Sequence, residues 1–445
     1  MEVVIAHPNG WGIREQTLLR EAAVDAGFTS SSSPHKIRFV TEAEASVHFC
    51  INRTNLGNCL QVGTKFAVCD AGGSTVDTTV YSVVAIRPML KLEEARASAC
   101  VQAGAIYVDA TAKEYLKKVL TNESNKDTLK KETPVNPEDI QEFTTRGVKD
   151  FETVAKRTFR DVTEEKTIEI AGTRFNNSSI RTRRGRMTLS GAVIKSFFEI
   201  CTNEITASVD QQIKGTETSY MLLVGGFGDS PFLRQTFKNR YEPQKCQVTL
   251  TNDSTSKAVA EGAVIWNAIS SVVGRAPRLS FGIEIAVPYN PSSPDFQGRE
   301  VYICPSGEER VSGAWSQIVA KGIVIDADAV NRRSFSMPFS SPYPDLEDFE
   351  ITLLSYSKQG QPKWARNKKG TQQFGFQKSC TITANLTNLS GALQPAIGVR
   401  GKLYWILDFN ICIRFGGTEL EAYLEWDEDE ITRTGKVTVV PDQPI

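Results

Sequence analysis

Residues 66–84 constrain this chain more than any other stretch: Phe66-Ala-Val-Cys-Asp70-Ala-Gly72-Gly73-Ser74-Thr75-Val-Asp77-Thr-Thr-Val-Tyr-Ser-Val-Val84. Two β-rich apolar runs flank a Gly-Gly-Ser-Thr turn with an aspartate at each mouth, which predicts a hairpin. Glycines let a ligand approach the backbone closely, and successive N–H groups of the turn form a concavity that suits phosphate oxygens. Asp70 and Asp77 repel phosphate but suit Mg²⁺ or its waters beside it. The combination points to a nucleotide with its metal. The same residues also fit a plain Gly-Gly hairpin with two turn-favouring aspartates.

Composition narrows the partners. A chain of 445 residues holds more than one domain. Its 51 basic and 52 acidic residues give a net charge of -1, so nothing global points to nucleic acid or an anionic membrane. The nine cysteines are scattered without C-x-x-C spacing, and the Met-Glu opening lacks a signal-peptide apolar region. Reduced thiols in the cytoplasm, or alternatively the nucleus, are expected. No apolar run has the length of a membrane span. His7, His35 and His48 are the only histidines and share no metal-binding spacing.

In chain order, Val3 to Ala6 predicts a strand and 13–26 a helix with Leu18, Leu19, Ala22, Ala23 and Ala26 on one apolar face and Gly27 closing it. Ile37 to Val40 predicts a second strand, followed by a helix to about residue 51. Thr41-x-x-Glu44 reads as a capping box, with Glu42 an acid favoured by the helix dipole. Residues 91–120 carry helical periodicity, 121–132 read as a solvated helix end and loop, and Asn136-Pro137-Glu138-Asp139 starts a helix whose Val148, Phe151, Ala155 and Phe159 share a face. Short strands are expected over 166–190, where Arg181, Arg183, Arg184 and Arg186 form a solvated basic patch. Ser190 caps a core helix. The run from Tyr220 to Val224 is a strand that breaks at Gly225-Gly226 and leads through Asp229-Ser-Pro231 into a helix; the third glycine of a dinucleotide fingerprint is missing. From 276 onward, strands alternate with Pro/Gly/Ser turns over 301–303, 349–356, 381–386, 403–415 and 420–426, an all-β pattern in which 403–415 is a central strand.

Asp70-Ala-Gly-Gly-Ser-Thr-Val-Asp77 resembles the second phosphate-binding signature of the actin-like ATPase superfamily, in the form of its 70-kDa heat-shock branch. Tyr220 to Leu233 is similar to that family's adenosine-binding turn, Ser256-Lys-Ala-Val-Ala-Glu-Gly262-Ala to the helix closing its second lobe, and Arg278-Leu-Ser-Phe-Gly-Ile-Glu284 to the start of its β-sandwich substrate domain. The resemblance implies an α/β actin-like ATPase (ribonuclease H-like) fold with an incomplete first lobe over 1–275 and an all-β, substrate-domain-like region over 276–445. It implies ATP or ADP with Mg²⁺ as cofactors. Asp70 and Asp77 would hold the metal, and Gly72, Gly73, Ser74 and Thr75 the phosphates. Glu42 matches a glutamate near the attacking water, although Ala43 replaces the proline that follows it in the family. Lys156, Arg157, Gly225 and Gly226 would hold the nucleoside; the glutamate preceding Lys156 is displaced by one position, and Asp229 stands where the family places an arginine.

The family's first phosphate loop and its lysine lie before the segment that Met1 onward matches, and this sequence has neither. Losing one wall of an electrostatic clamp weakens transition-state stabilisation, so the resemblance implies impaired hydrolysis. Ser270 to Pro277 offers two valines where the chaperones have a leucine-rich coupling linker, and no helical lid follows the β region, as in a divergent lidless branch. The expected partners are a nucleotide and an unfolded peptide or client protein on the β region. The alternatives are a non-catalytic scaffold that keeps the fold and a small-molecule kinase of the same superfamily.

Overall fold

The computed structural model describes residues 2–29, 36–53, 56–87, 90–125, 132–250, 258–269, 271–326, 329–347, 349–384, 386, 392–416, 419–428 and 431–435. The first half begins with β1 (Val3–His7), α1 (Ile13–Asp25), β2 (Ile37–Thr41), α2 (Glu42–Arg53) and α3 (Leu56–Cys59). The hairpin follows as β3 (Lys65–Ala71) and β4 (Val76–Ala85), then β5 (Lys91–Glu94), β6 (Ala99–Val101), α4 (Ala105–Ser124) and α5 (Ile140–Asp150). A π-helical turn, Phe151–Ala155, runs into α6 (Lys156–Thr158). Next come β7 (Lys166–Glu169), β8 (Thr182–Arg183), β9 (Arg186–Leu189), α7 (Gly191–Ile213), β10 (Thr218–Val224), α8 (Pro231–Tyr241), β11 (Gln247–Leu250), α9 (Ala258–Ala268) and β12 (Val272–Arg275).

The hairpin sits inside a mixed sheet ordered β11-β10-β3-β4-β5-β12, with β6 beside β4 and the short strand Ile325–Asp326 on β12. β3 runs parallel to β10 and antiparallel to β4. Because side chains alternate along a strand, the sheet has two distinct faces. Ala67, Cys69 and Ala71 of β3 join Val76 and Val80 of β4 in a core with α4, the π turn and α7. Phe66 and Val68 join Tyr81 and Val83 in a second core with α2 and α9. By the same alternation, Asp70 and Asp77 fall on the α2 face. β1 and β2 form a separate two-stranded parallel sheet, and α9 packs against α2 where Gly262 lets it approach the Ala45 carbonyl.

From residue 280 the chain is mostly β. One antiparallel sheet orders Tyr302–Ile303, Glu309–Val319, Ser280–Pro288, Phe349–Tyr356 and Phe376–Ala384. In the other, Leu403–Gly416 pairs with Val330–Phe339, Leu393–Ile397 and Glu419–Glu428, so it is central as its apolar sequence predicts. One core joins them, with Phe281, Ile283, Leu353 and Ile382 from the first sheet and Leu407, Phe409, Ile411 and Leu424 from the second. The chain is thus a mixed α/β protein with a mostly β C-terminal region.

Several elements differ from expectation. The helical periodicity of 91–120 is realised only from Ala105; Lys91–Glu94 is instead a strand paired with β4, because sheet pairing outweighs local propensity there. α5 starts at Ile140, after a turn in which the Asn136 amide donates to Asp139 Oδ2 at 2.8 Å instead of capping the helix. Leu18, placed on the apolar face of α1, is 53% exposed, whereas Ala23 is buried. The strands Ser280–Pro288, Glu309–Val319, Val330–Phe339 and Leu393–Ile397 were not among those expected. Ser256 and Lys257 of the expected closing helix, and 126–131 of the expected loop, lie outside the described residues. Among the described residues no helix is long and apolar enough to cross a membrane, and no disulfide joins the cysteines.

The connection between the halves is itself a strand. β12 pairs in parallel with β5, and Val272 is buried. At its end Arg275, 8% exposed, meets Glu44 Oε1 at 2.9 Å and Glu94 Oε1 at 3.9 Å. Trp266 Nε1–H donates to the same Glu44 oxygen at 2.9 Å, and the Ala276 N–H donates to Glu94 Oε2 at 3.0 Å. Only half of the expected capping box forms: the Glu44 N–H donates to Thr41 Oγ1 at 3.2 Å, while the Glu44 carboxylate is fully buried against the strap.

Candidate functional site

Asp70 and Asp77 are direct cross-strand partners at the end of the hairpin. Opposed like charges on one sheet face destabilise each other unless something holds them. Here the Ser46 hydroxyl, on α2, donates to Asp70 Oδ2 at 2.9 Å, and the Asn9 N–H, in the turn after β1, donates to Asp77 Oδ2 at 3.0 Å. The Asn9 amide is anchored in turn on Thr79 Oγ1 at 3.0 Å. Asp77 Oδ1 is buried without a hydrogen-bond partner.

Glu42, at the first position of α2, completes a set of three carboxyls. Burial, then the charges of Asp70 and Asp77, push its pKa up to about 7. Burial raises Asp70 to about 6 against the lowering effect of the Ser46 hydrogen bond. Burial also raises Asp77, opposed by Cys100, Asn9 and Arg278. Carboxyls raised in this way favour a proton or a cation among them. Among the described residues no group of three or more His, Cys, Asp or Glu side chains is placed to ligate a metal. Asp70 and Asp77 could supply at most part of a cation's shell, the remainder being water or ligand oxygens.

The turn beside these carboxyls is fixed by backbone alone. The Gly72 N–H closes it onto the Thr75 carbonyl at 3.0 Å. Its outward carbonyls accept from the start of α4: Gly104 N–H to Ser74 O at 3.0 Å, Ala105 N–H to Gly72 O at 3.2 Å and Ile106 N–H to Gly73 O at 2.9 Å. These bonds satisfy N–H groups that a helix start leaves unpaired. A Cβ on Gly104 would collide with the Gly73 carbonyl, so the close approach needs glycine. Gly73 itself faces open space and is exposed.

β10 carries the second glycine turn to the same sheet edge, because Val224 is the register partner of Asp70. Gly225 has φ +83°, and a Cβ there would collide with Asp70 Oδ1 and the Ala71 carbonyl. The Phe227 N–H donates to Ala71 O at 2.8 Å, locking the two turns together, while Gly226 faces open space. Asp229 pairs with Arg234, one turn into α8, whose Nε also donates to the Gly228 carbonyl at 3.0 Å. An arginine thus stands at this turn, supplied from the helix.

Lys156 and Arg157 follow the π turn. Such a turn accommodates one extra residue, and it carries Glu152. Phe159 packs on Phe232 at 5.2 Å and Phe198 packs on Phe227 at 6.1 Å, which seats α6 against the segment after Gly225. Lys156 is buried in an ion pair with Asp109 at 2.5 Å, and Arg157 is exposed with Nε donating to the Glu152 carbonyl at 3.3 Å. The structure therefore gathers Glu42, Asp70, Asp77, Gly72 to Thr75 and Gly225 at one end of the central strands β3, β4 and β10, with Lys156 and Arg157 on a neighbouring helix.

Sequence reasoning missed Asn9, Ser46, Gly104 and Arg234. Ser46 had a readable signal, lying four residues after Glu42 on one helix face. Asn9 had none, since only the fold brings residue 9 to residue 77. Neither protein-family models nor curated proteins give a match to this chain.

Proposed function

We propose that this chain is an ATP-binding protein of the heat-shock-70-like kind, with an actin-like ATPase (ribonuclease H-like) region over residues 1–275 and a β-rich, substrate-domain-like region over 276–445. The observation that carries the reading is the convergence of Glu42, Asp70 and Asp77 beside a backbone-fixed Gly72–Thr75 turn, with Gly225 locked against it. Two buried aspartates opposed across a hairpin, with the half-buried Glu42 acting on both, are a poor structural device and suit a cation bound through one or two carboxylates and its waters.

In this reading Gly72, Gly73, Ser74 and Thr75 present backbone to the phosphates, and Asp70 and Asp77 hold Mg²⁺ and its waters. A divalent cation there supplies the charge that lets ATP or ADP phosphates sit beside carboxylates. Glu42, at about 7, is poised to accept a proton from an attacking water at neutral pH. Gly226, open to solvent beside Gly225, lies against the nucleoside. Exposed Tyr302, Ile303, Ile397, Val399 and Leu403 support a peptide or client contact on the β region; Val399 N–H reaches Ser306 O at 2.8 Å, which brings the two strand edges together.

The test is calorimetric titration with Mg·ATP beside Asp70→Ala. Saturable binding that needs Mg²⁺ and is lost in the variant is expected. No heat of binding from folded protein overturns the reading and leaves the non-catalytic scaffold. Sustained turnover abolished by Asp70→Ala would overturn the impaired hydrolysis that the sequence implies.

A further inference from the structure

A crevice of about 830 Å³, with Thr75 in its lining, opens between the two halves of the chain. Its walls come from the turn after β1 (Gly10, Trp11), from 96–102, from Gln211 and Gln212 at the end of α7, from Arg278 just after the strap, and from Lys321, Gly322 and Gln359 of the β half. Arg96, Arg278 and Lys321 line it, and among the described residues no aspartate or glutamate does.

Each of these cations is tied to neutral oxygens. Arg96 donates to the carbonyls of Gln211 at 3.0 Å and Lys214 at 2.9 Å, Arg278 to Ser98 Oγ at 2.8 Å, and Lys321 to the Ser357 carbonyl at 2.6 Å. These bonds aim the side chains without cancelling their charge. Asp77 and Glu94 act on Arg278 from behind the wall. One buried donor of a lining residue, Arg96 Nε, has no hydrogen-bond partner. A cleft walled by charges of one sign concentrates ions of the other sign. The amides of Gln102, Gln211 and Gln359 add neutral donors, Gln212 Nε2 being engaged on the Ala97 carbonyl at 3.2 Å, and Trp11 adds an exposed ring.

We propose that this crevice is a second binding site, for a small polyanion carrying at least two negatively charged oxygens, which bridges the N-terminal half through Arg96 and the β half through Lys321. The site adjoins the proposed nucleotide turn at Thr75 but draws its cations from Arg96, Arg278 and Lys321, none of which that reading uses, so the two are tested separately. Phosphate esters and polycarboxylates share the required chemistry.

Titration of the full chain in metal-free, EDTA-containing buffer with inorganic pyrophosphate, and separately with citrate, distinguishes these two sources. Saturable binding of at least one is expected, weakening with added salt. The Arg96→Gln/Lys321→Gln double variant should bind roughly tenfold more weakly or worse, as expected for losing two charge-assisted contacts. Lys321→Gln alone, which gives up one bond to an exposed carbonyl, should lose part of the affinity and serves if the double variant does not fold. Mg·ATP binding should be unchanged in both. Absence of saturable binding to either probe, or affinity unchanged in both variants, overturns the proposal. Pyrophosphate binding lost in Asp70→Ala also overturns it, since that result places the anion on the glycine turn; failure of Mg·ATP to bind bears on the nucleotide reading alone.

Discussion

The Gly72–Thr75 turn and the Val272–Arg275 strap are each fastened at the large mixed sheet, by opposite means. The turn is held by three helix N–H groups on its carbonyls and by glycines that let backbones touch. The strap is held by a guanidinium between two carboxylates, with an indole N–H sharing one of them. Backbone fastening leaves nothing to titrate and no side chain to remove, and it tolerates no added atom. Charge fastening tolerates a change of shape and fails when one partner is lost. The first suits a surface that must present N–H groups in fixed positions, and the second suits a joint between regions.

The strap gives the largest expected effect. Arg275→Met leaves Glu44 and Glu94 buried without their cation and should cost about 3–5 kcal/mol in denaturant unfolding. Adding Glu44→Leu should recover part of that loss; no recovery would mean that the strap is held by strand pairing and not by charge. Next, Gly104→Ala forces a methyl into the Gly73 carbonyl, with an expected loss of about 1–3 kcal/mol and weakened Mg·ATP binding in the same sample. An unchanged affinity would show that the turn does not depend on α4.

A smaller effect is expected from Ser46→Ala, about 1 kcal/mol, the size of the one hydrogen bond it removes from Asp70. Removing the hydroxyl should raise the Asp70 pKa further, measurable by carboxyl titration in NMR. The pH dependence should also separate the two fastenings. Folding raises Asp70 from 3.8 to about 6 and Glu42 from 4.5 to about 7, so over this range the folded state holds more protons than the unfolded one. These groups then add stability at low pH that is lost as pH rises through their folded values. Thermal unfolding without metal should show this decline, Mg²⁺ should shrink it, and Glu42→Gln should flatten its upper part.

The hairpin, both glycine turns and the β-rich second half were legible because each rests on local pattern: alternation, turn glycines and a strand broken by Gly-Gly. Asp70 and Asp77 could even be placed on one face by counting along the strands. The partners that restrain them could not, since Asn9 and Ser46 reach the aspartates only after β1 and α2 have docked. Lys91–Glu94 misled for a related reason. Its charged residues fit a helix face, and a strand forms there because β4 and β12 lie on either side. Glu44 is the sharpest case: its capping-box spacing is genuine, yet its carboxylate serves residues more than two hundred positions away.

The strap also has a mechanical consequence. The peptide between α9 and the β half runs along β5 as a parallel neighbour, with the Leu92 N–H bonded to Ser271 O at 2.7 Å at one end and the Arg275 clamp at the other. A pull that separates the halves along the chain loads these bonds in shear, all at once, instead of peeling them one by one. The joint therefore acts as a rivet and not as a string, fastening the start of the β half to β5, the neighbour of the hairpin strand β4.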